Sequence, residues 1–388
     1  MKRSALYRQQ TVSDRLGLTL VAALLCLTAA LPGAITFAIA DTSTDMKDKL
    51  VTFYSSYGYK NNDQWHIPLR IWGREAPGRT RRIAGKGARK IIRKIVGLDK
   101  LNDARNQRVN EVAVDFLADS ESRERVEFGF DNDSTAEHFS LAGKNGKLKT
   151  DRNGLVEGTI TFSVKKVERL LREQESKDGW LSFRAVSKEH SGIGRVRMIQ
   201  PDGLSVISDV DDTIKITGIP SGERVVLENT FFREYEVVPC MAQLYQSFSV
   251  ETAFHYVSGG PWQMYTPLVE FLFSETGGFP GGSFHMKNVR TNPFESDSYH
   301  DLWKLVGGAS KSATYYQKIE QIQLILEHFP SRQFILIGDS GEHDPEIFRE
   351  IRQRHSGQIQ EIRIRGIINA SQDAPERLQD MIVVPTEC

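Results

Sequence analysis

The sequence predicts an α/β fold for its C-terminal half, a parallel sheet flanked by helices, preceded by a smaller mainly-β, sandwich-like half. Three observations carry this reading. Two short apolar, β-branched runs end in clusters of acids, Val206-Ile207 before Asp209, Asp211 and Asp212, and Phe334 to Ile337 before Asp339. Helical periodicity fills the chain between them, as in Met264, Leu268, Phe271 and Leu272. Before residue 200 the pattern instead alternates at period two between polar turns.

In the stretch 41–200, Val51 to Tyr54, Trp65 to Trp72, Val109 to Phe116, Glu124 to Phe130, Gly154 to Val164 and Trp180 to Val186 all read as strands. Their spacing suits a small sandwich. Arg74 to Lys94 interrupts them: Glu75 is its only acid, and Ile83, Gly87, Ile91 and Ile95 recur every four residues. That spacing predicts a helix with a narrow apolar stripe beside a basic face, docked on its own sandwich or lying on an anionic lipid surface.

The stretch 201–388 opens with Ser208-Asp-Val-Asp-Asp-Thr-Ile-Lys215. Three acids at a strand end repel one another unless a cation held by oxygen ligands compensates them, which suits Mg²⁺. Period-two alternation puts Asp209 and Asp211 on one face. One of them can attack a phosphorus atom while the other exchanges a proton with the leaving oxygen. Asp212 is read as a cap for the following turn. Downstream, a strand over 252–258 ends in Ser258-Gly259-Gly260, where a hydroxyl and free backbone N–H groups suit phosphate oxygens. A helix opening at Lys318 follows, then the strand 333–338 running into Asp339, with Asp344 at the start of another helix next to Pro345. Ile359 to Ile368 predicts a last strand.

These four motifs, D-x-D-x-T at Asp209 to Thr213, Ser258, Lys318, and G-D-x-x-x-x-D at Gly338 to Asp344, resemble those of the haloacid dehalogenase (HAD) phosphohydrolase superfamily. More narrowly, Ser208 to Lys215 with Thr217 looks like the phosphatidate phosphatase catalytic domain of the actin-patch-protein type, found in fungi and many bacteria. The resemblance covers about 201 to the C-terminus strongly and the β-rich part weakly. It implies a HAD-like, Rossmannoid sheet with a helical turn and a hairpin flap over 216–233. It also implies roles: Asp209 as nucleophile forming an aspartyl-phosphate, and Asp211 as acid and base. Thr213, Ser258, Gly259 and Lys318 would bind phosphate, with Lys287 as the alternative lysine. Mg²⁺ would be held by Asp209, the Asp211 carbonyl, Asp339 and Asp344. Glu342 and His343 are loop residues within reach of a substrate.

The interval between Thr213 and Ser258 leaves no room for a large cap domain, so an open site is expected. Phe231, Phe232, Trp262 and Phe279 are either its apolar rim or ordinary core. The expected function is a Mg²⁺-dependent phosphatidate or related lipid phosphate phosphatase, with a phospholipid and a membrane surface as partners. A phosphatase for a soluble phosphomonoester and a catalytically silent phospholipid-binding module are the alternatives. Intact Asp209 and Asp211 count against the last.

At the N-terminus, Lys2, Arg3, Arg8 and Arg15 precede an uncharged run to Ala40, and Ala38-Ile39-Ala40 reads as a small-x-small cleavage site. Residues 1–40 are therefore a signal peptide or a membrane anchor, and the remainder is exported to the periplasm or cell envelope. Without them the chain carries a slight excess of acid, which argues against nucleic-acid binding. Cys240 and Cys388 would survive cleavage, and an exported protein can pair them.

Overall fold

The computed structural model describes residues 49–75, 107–109, 111–112, 115–116, 118, 120–143, 146–288, 311–367 and 374–385. The expected signal segment, the basic stretch beyond Glu75, and Cys388 lie outside them. Among the described residues no helix is long and apolar enough to cross a membrane.

The first part is one connected sheet of nine strands: β1 (Lys49–Phe53), β2 (Ser56–Asn61), β3 (Gln64–Glu75), β4 (Glu127–Phe130), β5 (Phe139–Ser140), β6 (Leu155–Ser163), β7 (Trp180–Ala185), β8 (His190–Ser191) and β9 (Ile193–Met198). Their order is β5-β4-β7-β9-β2-β3-β1-β8, with β6 also pairing β3. Pairing is mostly antiparallel, while β1–β8 and β2–β9 are parallel. The sheet doubles over, so Phe53 on β1 meets Phe128 on β4 and Phe183 on β7, with ring centroids 5.8 and 5.1 Å apart. The period-two pattern of β3, with Trp65, Ile67, Leu69 and Ile71 inward, explains why it can line this core.

Two expectations fail here. Residues 107–109 and 111–112 are helical, not a strand. Val112, Val114 and Phe116 alternate, but Val109, Val112 and Phe116 also fit a helical face at i, i+3 and i+7, and these last three are buried. The strand over 154–164 gives way at Ser163 to a helix that was not expected, α1 (Val164–Glu173). The Ser163 hydroxyl caps it by accepting from Lys166 N–H, and Val167 and Leu170 turn into the core.

The second part is a six-stranded, all-parallel sheet in the order β12-β11-β10-β13-β14-β15. Its strands are β10 (Leu204–Ser208), β11 (Ala253–Pro261), β12 (Ser283–Lys287), β13 (Gln333–Asp339), β14 (Ile359–Arg365) and β15 (Ile382–Val384). Among the described residues the helices are α2 (Glu223–Phe231), α3 (Met241–Gln246), α4 (Tyr265–Leu272), α5 (Lys311–His328) and α6 (Asp344–Arg354). The chain runs outward from β10 through β11 to β12, then returns to the other side of β10 as β13. Ligands of open parallel sheets bind at such a reversal, beyond the carboxyl ends of the strands.

A helix, α2, occupies the place where a hairpin flap was expected, because Val226, Leu227, Thr230 and Phe231 recur at helical spacing against the core. Lys318 lies in the middle of α5, which begins at Lys311 rather than opening at the lysine. Phe231, Phe232 and Phe279 are core residues, and Trp262 is half-buried against Tyr54, 4.6 Å between ring centroids. They do not form a rim. Cys240, just before α3, is disulfide-bonded.

The two sheets meet directly. Ser55 N–H donates to the Tyr265 hydroxyl at 2.8 Å, and the Ser55 hydroxyl donates to the Gly282 carbonyl at 2.8 Å. Arg197 on β9 donates to the carbonyls of Val250 and Thr252. Tyr54, Trp72 and Val112 share one apolar cluster with Val206, Phe231 and Leu268.

Candidate active site

The carboxyl ends of β10 and β13, adjacent strands, carry the acids. β10 ends at Ser208, and Asp209 N–H still donates to the Ile337 carbonyl at 2.9 Å, which fixes the first acid against β13. The chain then breaks into a turn. Asp212, at φ 58°, accepts from the N–H groups of Thr217, Gly218 and Ile219 at 2.9, 2.7 and 2.6 Å. It therefore caps the turn as expected and leaves Asp209 and Asp211 to the site.

Three of the predicted metal ligands converge. Carboxylate oxygens of Asp209, Asp339 and Asp344 lie within 4.8 Å of one another, and all three residues are buried. Lys318 reaches them from α5, donating to Asp209 Oδ1 at 2.7 Å and Asp344 Oδ1 at 2.6 Å. Burial opposes the charge on Lys318, but the facing Asp209 and Asp344 outweigh it and hold its pKa well above the usual lysine range. One ammonium does not neutralise three carboxylates. Burial and the neighbouring Asp344 and Asp209 accordingly push Asp339 well above the usual carboxylate range. Burial likewise raises Asp209 against the pull of Lys318. This excess of buried oxygen-borne charge is what a hard divalent cation relieves. Thr213 ties the pair together, donating from Oγ1 to Asp209 Oδ2 at 2.9 Å with Asp339 Oδ2 at 3.4 Å.

Asp211 faces a different environment. Its Oδ1 accepts from Thr217 at 2.7 Å and Lys215 at 3.3 Å, and its Oδ2 accepts from the Ser258 hydroxyl at 3.1 Å. Burial opposes ionisation, but Lys215, Thr217 and Ser258 overcome it and hold Asp211 below the usual range. Two carboxylates two residues apart are thus driven in opposite directions. Lys215 and Thr217 had been assigned no role. The signal in the sequence is a lysine flanked by Ile214 and Ile216, and the structure leaves it only 1 % exposed.

The remaining predicted residues fall as follows. Ser258 reaches Asp211, and Gly259 lies against α5, where an added Cβ would stand 2.8 Å from Thr314 Cγ2. Lys287, the alternative lysine, closes β12 beside Pro261, while Lys318 is the lysine on the acids. Glu342 is raised to about 6 by burial and by Asp344, Asp211 and Asp212 against the pull of Lys318, so it faces the same charge field. His343 is the N-cap of α6. Arg377 braces this loop, donating to the carbonyls of Ser340 and Glu342 and to the Glu346 carboxylate.

Gly338 is required by close approach. A side chain there would fall on Asp344 Oδ2 and stand 2.7 Å from Asp344 Cβ and 2.7 Å from Phe348 Cε2. Gly338→Ala is expected to destabilise the protein by roughly 1–3 kcal/mol. It should also displace Asp344 from Lys318, and a thermal melt beside an activity assay checks both.

Fold and site together define an α/β protein with a carboxylate-rich, lysine-braced centre at the switch point of a parallel sheet. Residues 204–366 match the family model for the phosphatidate phosphatase APP1 catalytic domain. Phosphatidate phosphatase APP1 of Saccharomyces cerevisiae is 30% identical over 188 residues, covering 47% of this chain and 29% of its own length. An uncharacterized protein of Schizosaccharomyces pombe is 26% identical over 187 residues, covering 46% of this chain and 27% of its own. The chain thus spans under a third of the curated relatives it matches. A solved carbohydrate esterase, whose active site is described as having divergent catalytic and non-catalytic binding functions, aligns over 82% of this chain and 88% of its own. Its 10% identity and TM-score of 0.19 carry no argument.

Proposed function

We propose that this protein is a Mg²⁺-dependent phosphatase that cleaves phosphatidate or a related lipid phosphate monoester through an aspartyl-phosphate. The observation that carries the proposal is the opposed setting of Asp209 and Asp211 in a site whose chain segment matches a phosphatidate phosphatase family model. Asp209, Asp339 and Asp344 are an all-oxygen donor set that fits Mg²⁺, and the resemblance adds the Asp211 carbonyl as a further ligand it would use. A bound cation would draw charge from the phosphoryl oxygens and lower the barrier to attack.

The chain's own groups supply the rest. Lys318 orients Asp209, whose carboxylate oxygen attacks phosphorus as the ester P–O bond breaks. Asp211 gives a proton to the departing alkoxide. A doubly charged phosphoryl group arriving beside Ser258 raises the proton affinity of Asp211 and so favours the acid form for this step. The Lys215–Thr217 clamp then favours the carboxylate, which takes a proton from the water that attacks the phosphorus and frees Asp209 and phosphate. Thr213, Ser258, Gly259 N–H and Lys318 hold the phosphoryl oxygens. Between Asp212 and β11 the chain forms only a 3₁₀ turn, α2 and α3, an arrangement that supports access by a bulky ester. The basic N-terminus and its apolar run support our further proposal that the protein is exported to the periplasm or cell envelope.

Phosphate release is the test, from phosphatidate in detergent micelles and from a soluble phosphomonoester, with Mg²⁺ or with EDTA. Mg²⁺-dependent release favouring phosphatidate is expected. Release from the soluble ester alone would keep the site and discard the lipid. Release from neither, with binding to phosphatidate vesicles, would indicate a silent binding module.

A further inference from the structure

Two polar atoms beside the site lack partners. The Thr314 hydroxyl and the Gln317 amide oxygen, both on α5, are buried side-chain atoms with no hydrogen bond. Thr314 precedes Lys318 by one helical turn, so the two stack on one face, with Gln317 adjoining. Thr314 is 8 % exposed and packs on Gly259. Gln317 Nε2 donates to the Ser258 carbonyl at 3.4 Å and to Gln321 Oε1 at 3.3 Å, which aims the amide at the same loop. Turning the amide over would leave a donor unpaired in place of an acceptor. Ser258 in turn donates to Asp211. The unpaired atoms therefore flank the Ser258–Gly259 loop, whose serine reaches the carboxylate that meets the leaving oxygen. Buried polar groups without partners are uncommon and costly. Two on one helix face beside a reactive centre point to a ligand that completes them.

We propose that Thr314 and Gln317 form a subsite for the leaving alcohol, hydrogen-bonding an oxygen carried next to the carbon that bears the phosphate. These two residues would then read the glycerol backbone of the ester proposed above, whose hydroxyl or ester oxygen pairs with them, and would set it apart from a simple alkyl phosphate. This rests on the phosphatase reading above. A purely structural role would cost both kinds of ester equally.

The test compares phosphate release by the full chain from a 1-acyl-glycerol phosphate and from hexadecyl phosphate, in the same detergent micelles with Mg²⁺. Wild type should prefer the glycerol ester. Thr314→Val and Gln317→Leu should each lower kcat/KM for the glycerol ester about fivefold more than for the alkyl ester. Thr314→Ser, which keeps the hydroxyl, should retain the preference. Thr314→Val conserves volume and carries the test if Gln317→Leu does not fold. Equal losses on both esters, no loss on either, or a wild type indifferent to the glycerol backbone would overturn the subsite while leaving the phosphatase reading intact. A wild type that hydrolyses neither ester would overturn both.

Discussion

Asp209→Asn is expected to abolish phosphate release, by a factor on the order of 10⁴ or more, since the amide cannot attack phosphorus. The fold should survive. Asp209 is a desolvated carboxylate whose buried neighbours already favour its neutral form, so an isosteric neutral amide removes repulsion from Asp344 and Asp211. Lys318 keeps its contact with Asp344. The melting temperature should therefore stay within a few degrees of wild type or rise. A large fall in melting temperature would mean that Asp209 holds the fold, and the activity loss would then say nothing about chemistry. Phosphate release and thermal melts on one preparation separate the two.

Lys318→Met should cost activity by about 10²- to 10³-fold, the scale on which a preorganised charge stabiliser acts. Unlike the first substitution, it should also destabilise. Lys318 is 2 % exposed and is the partner of both Asp209 and Asp344, so its removal leaves buried carboxylates uncompensated at a cost of about 3–5 kcal/mol. The sign with pH follows. With the ammonium gone, the folded-state affinity of the acids for protons rises further above its unfolded value. Stability should then be lost as pH rises through those raised folded values and regained as pH falls below them. Melts of Lys318→Met at pH 5 and pH 8 should therefore diverge in favour of pH 5, and Mg²⁺ should restore part of the loss at pH 8. A variant equally stable at both values, or unmoved by Mg²⁺, would show that Lys318 does not balance these charges.

Much of the site was legible because its chemistry is local in the chain. Asp209, Asp211 and Thr213 sit within five residues, and β-branched residues before acids signal a strand end whatever surrounds it. Gly338-Asp339 with Asp344 and Pro345 is equally self-announcing, because a helix start and a strand end each have short-range signatures. The same locality explains the failures. Val109 to Phe116 satisfies period two and period 3.6 at once, and packing against Phe231 and its neighbours decided for the helix. Around 216–233 the resemblance suggested a hairpin, whereas the spacing of Val226, Leu227, Thr230 and Phe231 makes α2.

The sequence by itself determined the order of the motifs, the parallel character of the second sheet, the capping role of Asp212, and that Asp209, Asp339 and Asp344 stand at strand and helix ends able to converge. Only the tertiary structure decided that Lys318 rather than Lys287 meets those acids, because each lysine is a single residue whose partners lie across the fold. Likewise, only it could separate the settings of Asp209 and Asp211. Two residues apart in the chain and alike in type, they differ because β13, α6 and α5 bring two acids and one cation to the first, while Lys215, Thr217 and Ser258 close around the second. Burial and charge proximity act through space, and residues far apart in sequence supply them.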